Sequence, residues 1–273
     1  MDFHAKEKYD VYDLVDIVKI LRSPEGCPWD KVQTHETIRK DFIEEVYEAV
    51  EAINENDAEH LREELGDVLL QVVFHSVIES EKGSFDLNDV ADEVCKKMIV
   101  RHPHVFGDVT VKNIEQLMQN WDKIKMQTKS QTAITESMES VSKTLPSLMR
   151  AEKLHKRAKR GGVVPKNADE VFSDVEEKLA GLKASACGDS TLRQKKLGEF
   201  LFSAAALSGM LDTDCEQSLY DACDEFIKRF KAFEMTAAQK GIDIQGSDSE
   251  EANRLWKEIL TNEKLEENKN EQN

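Results

Sequence analysis

Residues 42–72, FIEEVYEAVEAINENDAEHLREELGDVLLQV, carry the same pattern of acidic and apolar residues twice, offset by 19 positions. The acidic pair of the first copy is Glu45-x-x-Glu48, and that of the second is Glu64-x-x-Asp67. The apolar positions of the two copies are Phe42, Val46, Ala49, Val50 and Ile53, then Leu61, Leu65, Val68, Leu69 and Val72. At about 100° per residue, each acidic pair lies on the same flank of an apolar stripe, which predicts two amphipathic helices.

A short polar turn, Asn-Glu-Asn-Asp at residues 54–57, separates the two predicted helices. Such a turn predicts that the helices fold back on each other as an antiparallel hairpin. We expect the two apolar stripes to pack into one core, which would bring both acidic flanks to a common seam.

Four carboxylates in one seam raise each other's pKa and destabilise the fold unless a cation lies among them. Mg²⁺ takes oxygen ligands and keeps positions for water and substrate phosphates, so Glu45, Glu48, Glu64 and Asp67 are candidate metal ligands, with Mn²⁺ as a second candidate ion. The alternative is a solvated helix face, because the chain has 54 acidic residues and one such pair arises readily by chance. Two pairs in matching register favour the metal site.

The composition favours a soluble all-α protein. Of the 273 residues, 40% are hydrophobic and 33% are charged, and only five prolines and twelve glycines interrupt the helical stretches. The apolar runs are too short to cross a membrane, and the N-terminus has no apolar signal core. Five cysteines without a Cys-x-x-Cys spacing are typical of a reducing compartment, so we expect a cytoplasmic protein. The net charge of −17 argues against non-specific binding to nucleic acid.

Further helices are expected on both sides of the hairpin. Residues 9–22 carry one apolar face, and Thr34 is the expected N-cap of the first hairpin helix. Asp86 is the expected N-cap of a third segment, which ends at residues 102–103, and another helix is expected over 111–125. The second half predicts helices near residues 145–160, 169–186, 191–210, 215–240 and 249–260.

The helical pattern weakens in a Ser/Thr-rich stretch after residue 127, which predicts a domain boundary. The predicted organisation is a catalytic domain, a linker, a second helical domain and a disordered tail, over residues 1–127, 128–142, 143–262 and 263–273. A basic cluster lies early in the second half, as Arg150, Lys153, Lys156, Arg157, Lys159 and Arg160. It is either an anion site or, as is more common for such a run, a solvated helix face.

The second half looks like a faded copy of the first. Residues 197–201, Leu-Gly-Glu-Phe-Leu, repeat the pattern of residues 65–69, Leu-Gly-Asp-Val-Leu. However, Lys196 stands where Glu64 is in the first copy, and no carboxylate matches Glu48. Because a lysine repels Mg²⁺, we expect the second half to be a scaffold or dimerisation unit rather than a second active site.

Five ordered motifs stand out in the first half: Cys-Pro-Trp-Asp-x-x-Gln-Thr at 27–34, Glu-Glu-x-x-Glu at 44–48, Glu-Leu-Gly-Asp at 64–67, Arg-His-Pro-His-Val-Phe at 101–106 and Trp-x-x-Ile-Lys at 121–125. Together they closely resemble the MazG family of nucleoside triphosphate pyrophosphohydrolases. The resemblance covers residues 9–126 and extends more weakly over the second half, which resembles the second domain of two-domain members. In such members the second domain can be the active one, whereas here its acidic pattern is broken.

The resemblance implies two tandem all-α domains of the dimeric NTP pyrophosphatase type. It also implies Mg²⁺ dependence, homodimerisation and cleavage of NTPs or dNTPs to the monophosphate and pyrophosphate. Such chemistry needs positioning and charge neutralisation more than covalent steps. Glu44 or Glu45 is the candidate to orient or deprotonate the attacking water, and the sequence does not choose between them; on an ideal helix Glu44 points away from the seam.

Basic and aromatic residues are candidates for substrate binding. Lys97 and Arg101, four residues apart on one helix face, are expected to hold the phosphates. Trp29 with Gln33, and Trp121 with Lys125, are candidates for base stacking and phosphate contact. The loop position of Trp29 favours a ligand role. Trp121 lies on an apolar stripe, and that position favours core packing.

The sequence therefore predicts Mg²⁺-dependent hydrolysis of nucleoside triphosphates in nucleotide-pool house-cleaning. One alternative is a narrow pyrophosphatase for dUTP or a damaged dNTP. The other is a non-catalytic regulatory protein that binds nucleotide, which the degraded second half suggests and the intact acidic set of the first half argues against.

Overall fold

The computed structural model describes residues 4–128, 133–163, 165, 167–244 and 250–270, without the side chains of 115, 118, 119, 122, 123, 125, 127 and 263–270. Every regular element within these ranges is helical, so the all-α prediction is confirmed. The elements are α1 (Val11–Arg22), a 3₁₀ turn (Asp30–Val32), α2 (Arg39–Glu55), α3 (Ala58–Glu81), α4 (Leu87–Arg101), α5 (Pro103–Phe106), α6 (Ile114–Thr128), α7 (Ile134–Glu139), α8 (Ser147–Arg160), α9 (Ala168–Ala184), α10 (Ser190–Ala205), α11 (Ser208–Leu211), α12 (Cys215–Lys240) and α13 (Glu250–Asn270).

The chain divides into two compact units, Met1–Lys125 and Met126–Asn273. The segment predicted as a linker, 128–142, contains α7, which contacts α8 within the second unit. The structure also differs from the predicted disordered tail, because α13 continues to Asn270. Most residues of that segment are Glu, Lys or Leu, which favour helix. Residues 271–273 lie outside the described part.

Helices α1 and α3 build the core of the first unit. The Asp10 carboxylate accepts the amide N–H groups of Tyr12 and Asp13 at 2.8 and 3.0 Å, and the Asp13 side chain accepts that of Asp10 at 2.9 Å. This capping box starts α1 two residues after the predicted position. The buried core consists of Val18, Ile38, Val73, Phe74, Val77 and Ile78.

The predicted hairpin is present as α2 and α3, and the turn between them is confirmed. Asn56 ends α2 in the left-handed conformation with φ of 56°, which asparagine tolerates better than most residues. Asp57 then caps α3, since its carboxylate accepts the amide N–H groups of Glu59 and His60, each at 3.0 Å. The chain therefore reverses within two residues.

The surface that joins the two helices differs from the expected one. Ala49 and Ala52 of α2 are buried, and so is Glu64 of α3. Large apolar residues of both stripes instead remain exposed, 40 to 55% in each case: Val46, Val50, Ile53, Leu65 and Leu69. The prediction that both stripes pack into one core is wrong for these residues. Short side chains let the helices approach each other, which places the acidic flanks in the seam and turns the large apolar residues outward.

The N-cap assigned to Thr34 is also wrong. Helix α2 begins at Arg39, and Ile38 at its N-cap makes no side-chain capping bond. Thr34 instead starts a turn, in which its amide N–H donates to Thr37 Oγ1 at 2.9 Å and its carbonyl accepts the Ile38 amide at 3.3 Å. This turn places the side chain of Ile38 in the buried core. The free energy gained by that burial is larger than the gain from starting α2 at Thr34.

Helix α4 begins as predicted. Asp86 caps it by accepting the amide N–H groups of Asn88 and Asp89 at 2.7 and 3.1 Å. The middle of α4 is exposed, including its apolar residues Val90, Val94, Met98, Ile99 and Val100. The helix ends at Arg101, and Pro103 occupies the first position of the short α5, where its missing N–H costs no hydrogen bond.

The second unit contains a corresponding hairpin, α9 and α10, which contacts α8. Helix α12 spans the predicted residues 215–240. The predicted helix over 191–210 is broken, because α10 ends at Ala205 and α11 begins at Ser208, whose hydroxyl donates to the Ala205 carbonyl at 2.9 Å. A second buried cluster joins α12 to α13 through Phe233, Ala237 and Leu255. Among the described residues, no helix combines the length and apolar character needed to cross a membrane.

Candidate functional site

Three carboxylates meet in the seam of the first hairpin. Glu45 and Glu48, three residues apart on α2, face Glu64 of α3, and one oxygen of each lies within 4.8 Å of the others. The spacing of three residues places both α2 carboxylates on one helix face. Ala52, one turn further along α2, is fully buried, and its short side chain lets α3 approach this face of α2 closely.

Mutual repulsion and burial raise the pKa of two members of this cluster. Desolvation is the largest cause of the raised pKa of Glu45, followed by the charges of Asp67, Glu48 and Glu64. Desolvation and the Glu48 charge likewise raise the pKa of Glu64, and a contact of 3.2 Å from His60 Nε2 opposes that shift only in part. The cluster therefore favours a bound positive charge.

One oxygen of the cluster has no partner. Glu64 Oε2 is buried and makes no hydrogen bond among the described residues. A buried acceptor without a partner costs about 1–3 kcal/mol, and more when it is charged. A divalent cation satisfies oxygens of this kind, and the donor set contains only carboxylates, which hard cations prefer. The residues present thus fit a metal ion.

The remaining predicted acidic residues lie in two different places. Asp67 is outside the group of three, but its charge contributes to the raised pKa of both Glu45 and Glu64, so it lies close by. Glu44 is exposed and faces Lys40, with its Oε2 at 3.8 Å from the Lys40 Nζ. The structure therefore brings Asp67 near the cluster and turns Glu44 away from it.

Arg101 lies at the end of α4 against the ring of Trp121. Its guanidinium carbon is 5.7 Å from the centre of the Trp121 ring, and that ring meets the His102 ring edge-on at 4.7 Å. Arg101 Nε is buried and has no hydrogen-bond partner among the described residues. Trp121 is half-buried in this stack. Lys97, one turn before Arg101, is exposed, and the side chain of Lys125 lies outside the described part.

The loop before α2 presents Trp29, whose side chain is 58% exposed. Gln33 shapes this loop with both ends of its amide, since Nε2 donates to the Trp29 carbonyl at 2.9 Å and Oε1 accepts the Thr37 hydroxyl at 2.6 Å. Gln33 is thus engaged within the loop, whereas the indole of Trp29 faces outward.

Arg22 anchors the same loop, a role that the sequence analysis missed. Its Nε and Nη2 donate to the two oxygens of Glu81 at 2.8 Å each, and its Nη1 donates to the carbonyls of Asp30 and Gln33 at 2.8 and 3.0 Å. The guanidinium also lies 5.2 Å from the centre of the Phe74 ring. The only sequence signal was an arginine at a helix end, and its partner lies 59 residues away.

A second network missed from the sequence supports the loop from α3. His35 Nδ1 lies 2.7 Å from His75 Nδ1, and His35 Nε2 lies 2.6 Å from Glu79 Oε1. Hydrogen bonds from Lys82 and His35 lower the pKa of Glu79 to about 2, and burial lowers the pKa of His75. These contacts fix residues 33–38 beside the end of α3.

Comparison with known proteins places this site in a family. A family model for the MazG nucleotide pyrophosphohydrolase domain matches residues 33–106, which contain the hairpin, α4 and α5. The fold and the carboxylate cluster therefore belong to a nucleotide pyrophosphohydrolase domain of the all-α class.

Two relatives extend the similarity to both units. A nucleoside triphosphate pyrophosphohydrolase of Escherichia coli is 34% identical over 255 residues, which is 92% of this chain and 97% of that protein. The nucleoside triphosphate pyrophosphohydrolase/pyrophosphatase MazG of Thermotoga maritima is 38% identical over 244 residues, 89% of this chain and 93% of that protein. The chain belongs to the MazG family of nucleoside triphosphate pyrophosphohydrolases.

Proposed function

We propose that this protein hydrolyses nucleoside triphosphates, with ribose or deoxyribose, to the monophosphate and pyrophosphate with the help of a divalent cation. The observation that carries the proposal is the cluster of Glu45, Glu48 and Glu64 inside a MazG domain. The names of the E. coli and T. maritima relatives support the substrate class.

The three clustered glutamates, with Asp67 beside them, are the residues that would hold Mg²⁺ or Mn²⁺. The unpartnered Oε2 of Glu64 and the raised pKa of Glu45 support this assignment, because a cation would offset both penalties. When bound, such an ion supplies Lewis acidity and neutralises phosphate charge.

Arg101 and Lys97 are the residues proposed to bind the phosphates. The stack of Trp121 on Arg101 restricts the guanidinium, and its unpartnered Nε leaves donor capacity for an acceptor. A guanidinium matches two phosphate oxygens at once, and Lys97, one turn earlier on α4, adds a second cation. Contact of Lys125 with the same phosphates stays a prediction.

Glu45 is the better candidate to orient the attacking water. It belongs to the carboxylate cluster, whereas Glu44 faces Lys40 and solvent. A raised pKa makes the Glu45 carboxylate a stronger base, which suits a group that accepts a proton from water. Trp29 is the candidate to stack on the base, from the loop that Arg22 and Gln33 hold in place.

The protein is proposed to act as a homodimer. The large apolar residues of α2 and α3 that face outward follow one another at spacings of three or four residues along each helix, and α4 exposes further apolar residues. Single exposed apolar residues are ordinary, but a surface of this kind is typical of an interface. A second copy that covers it would remove these residues from water, at about 25 cal/mol per Å² of apolar area.

Nucleotide-pool house-cleaning in the cytoplasm is the proposed setting. All five cysteines are free thiols, as is usual in a reducing compartment. The second unit is proposed to serve as a scaffold or dimerisation unit, because lysines occupy its acidic seam.

The direct test measures pyrophosphate release by the full chain from a panel of NTPs, dNTPs and dUTP, with and without Mg²⁺. We expect Mg²⁺-dependent release that Glu48→Gln lowers at least about 100-fold, while Glu51→Gln, exposed on the same helix, leaves it unchanged. Release from dUTP alone would identify the narrow pyrophosphatase. Binding without release, or full activity of Glu48→Gln, would contradict the proposal.

A further inference from the structure

The second unit contains a cavity that the proposed function does not use. Its volume is ≈ 380 Å³, and it lies among α8, the start of α9, the end of α10 and α11. Its floor is apolar, because Val171 and Ala205 line it and are almost fully buried, with Met210 beside them. Small-molecule sites typically have volumes of about 300–1,000 Å³ and combine such a floor with a few polar groups.

This cavity is separate from the seam that corresponds to the metal cluster. The residues of the second hairpin that match the first seam in sequence do not line it: Glu177, Lys178, Lys196 and Glu199. The positive charge on its rim comes from Lys156 and Lys159, which belong to the basic cluster seen in the sequence. The two lysines are three residues apart and share one face of α8.

Some of the charged and polar side chains around the rim already make hydrogen bonds within the protein, and others do not. Glu152 accepts the amide N–H of Cys215 at the start of α12, at 2.6 Å. His155 Nε2 lies 2.8 Å from the Phe202 carbonyl oxygen, and its ring packs at a tilt against the Phe202 ring, with the ring centres 4.2 Å apart. Lys156 and Lys159 are exposed and have no ion-pair partner among the described residues.

The rim also offers a carboxylate and a hydroxyl, from Asp212 and Thr213. Asp212 ends α11 in the left-handed conformation with φ of 53°, and Thr213 follows it; both line the cavity. A ligand that suits the whole rim therefore has an anionic group at the lysines and hydrogen-bond donors at Asp212. Gly209, also in the lining, has open space where a side chain would be.

We propose that this cavity binds a small organic monophosphate with a flat apolar body and hydroxyl groups, the chemistry of a nucleoside monophosphate. The phosphate contacts Lys156 and Lys159, the apolar body covers Val171 and Ala205, and the hydroxyl groups donate to Asp212. Each part of the rim and floor then has a matching ligand group.

Calorimetric titration of the full chain with adenosine 5′-monophosphate tests this, in EDTA to keep divalent cations from the first unit. Lys156→Ala with Lys159→Ala removes two charge-assisted hydrogen bonds to the phosphate, so the double variant should bind at least about tenfold more weakly. Gly209→Leu, which fills the cavity without changing its charge, should weaken it similarly. Lys153→Ala, exposed on α8 outside the lining, is the matched control and should bind normally.

Two fragments separate the contributions of the ligand. Adenosine lacks the phosphate, and inorganic phosphate lacks the apolar body, so each should bind at least about tenfold more weakly than the monophosphate. Equal affinity of the wild type and the double lysine variant, or no binding by the wild type, would overturn the proposal. So would equal binding of inorganic phosphate, which would indicate a bare anion site.

Discussion

The two hairpins of the molecule differ in how the negative charge of their acidic residues is balanced. In α2–α3, Glu45, Glu48 and Glu64 crowd together, and Glu64 Oε2 has no partner among the described residues. In α9–α10, lysines lie among the acids. The Nζ of Lys178 is 3.2 Å from Asp174 and 3.1 Å from Glu177, and that of Lys196 is 2.8 Å from Glu199.

The difference shows that the same helical hairpin can form either a seam that binds a ligand or a seam that serves only the structure. Carboxylates in a helical seam need positive charge, and the first hairpin leaves that charge to come from outside the chain. The second hairpin supplies it from its own lysines, so its seam is complete without an ion. The first seam is therefore suited to a ligand, and the second to a fixed structure.

Removal of one carboxylate charge from each hairpin should give the largest difference in catalytic activity between the two hairpins. Glu64→Gln keeps the shape of the side chain but removes a charge from the cluster. We expect kcat/KM for pyrophosphate release to fall at least about 100-fold, since even indirect changes at metal sites cost 10–100-fold. Glu199→Gln in the second hairpin should retain near wild-type activity. Equal losses in the two variants would show that both seams take part in catalysis.

Addition of Mg²⁺ should stabilise the first hairpin and not the second. A ligand at a hundred times its Kd contributes about 2.7 kcal/mol, which corresponds to a rise in Tm of roughly 5–10 °C for a unit of this size. Differential scanning fluorimetry with and without Mg²⁺ measures the shift. Glu48→Gln should remove it, and Glu177→Gln should preserve it. A shift that survives Glu48→Gln would place the ion elsewhere.

The pH dependence of stability should have opposite signs in the two seams. The pKa values of Glu45 and Glu64 are raised, so these groups destabilise the metal-free fold above their folded pKa, and the penalty disappears as the pH falls to their ordinary value of 4.5. The pKa values of Asp174 and Glu199 are lowered, by Ser203 and by Lys196 respectively. These two groups stabilise the fold above the ordinary carboxyl pKa, and this stabilisation is lost as the pH falls through their lowered pKa values.

Carbon-detected NMR of the side-chain carboxyl groups follows each of these titrations without metal. Glu45 and Glu64 should titrate above pH 4.5, and Glu199 below it. Mg²⁺ should then lower the apparent pKa of the first two only, because the ion competes with protons for the same oxygens. An unchanged Glu64 titration in Mg²⁺ would argue against Glu64 as a ligand.

The sequence predicted the hairpin well because local chemistry determines it. Asn56 and Asp57 carry the turn, and the repeated spacing places three of the four expected carboxylates together. The same spacing did not reveal which of two neighbouring helix faces packs inward. That choice depends on the short side chains of Ala49 and Ala52, which allow close approach of α3.

The support of the Trp29 loop was beyond sequence reasoning for a different reason. Arg22 and Glu81 are 59 residues apart, and His35 and His75 are 40 apart, so no local pattern links them. Thr34 carried a good local capping signal, yet the turn it starts serves the burial of a residue four positions later. Tertiary contacts decide such cases.

The smallest expected effect comes from Lys196→Glu, which places an acid where the first hairpin has Glu64. The variant loses the pair with Glu199, but both side chains are about one-third exposed, so solvent screens the pair and its contribution to stability is small. The Tm of the full chain should fall by at most about 2–4 °C. Mg²⁺ should not restore it, because Lys178 remains and no acid matches Glu48. A new Mg²⁺-dependent stabilisation would instead show that a single lysine separates a binding seam from a structural one, and the scaffold role of the second unit would fail.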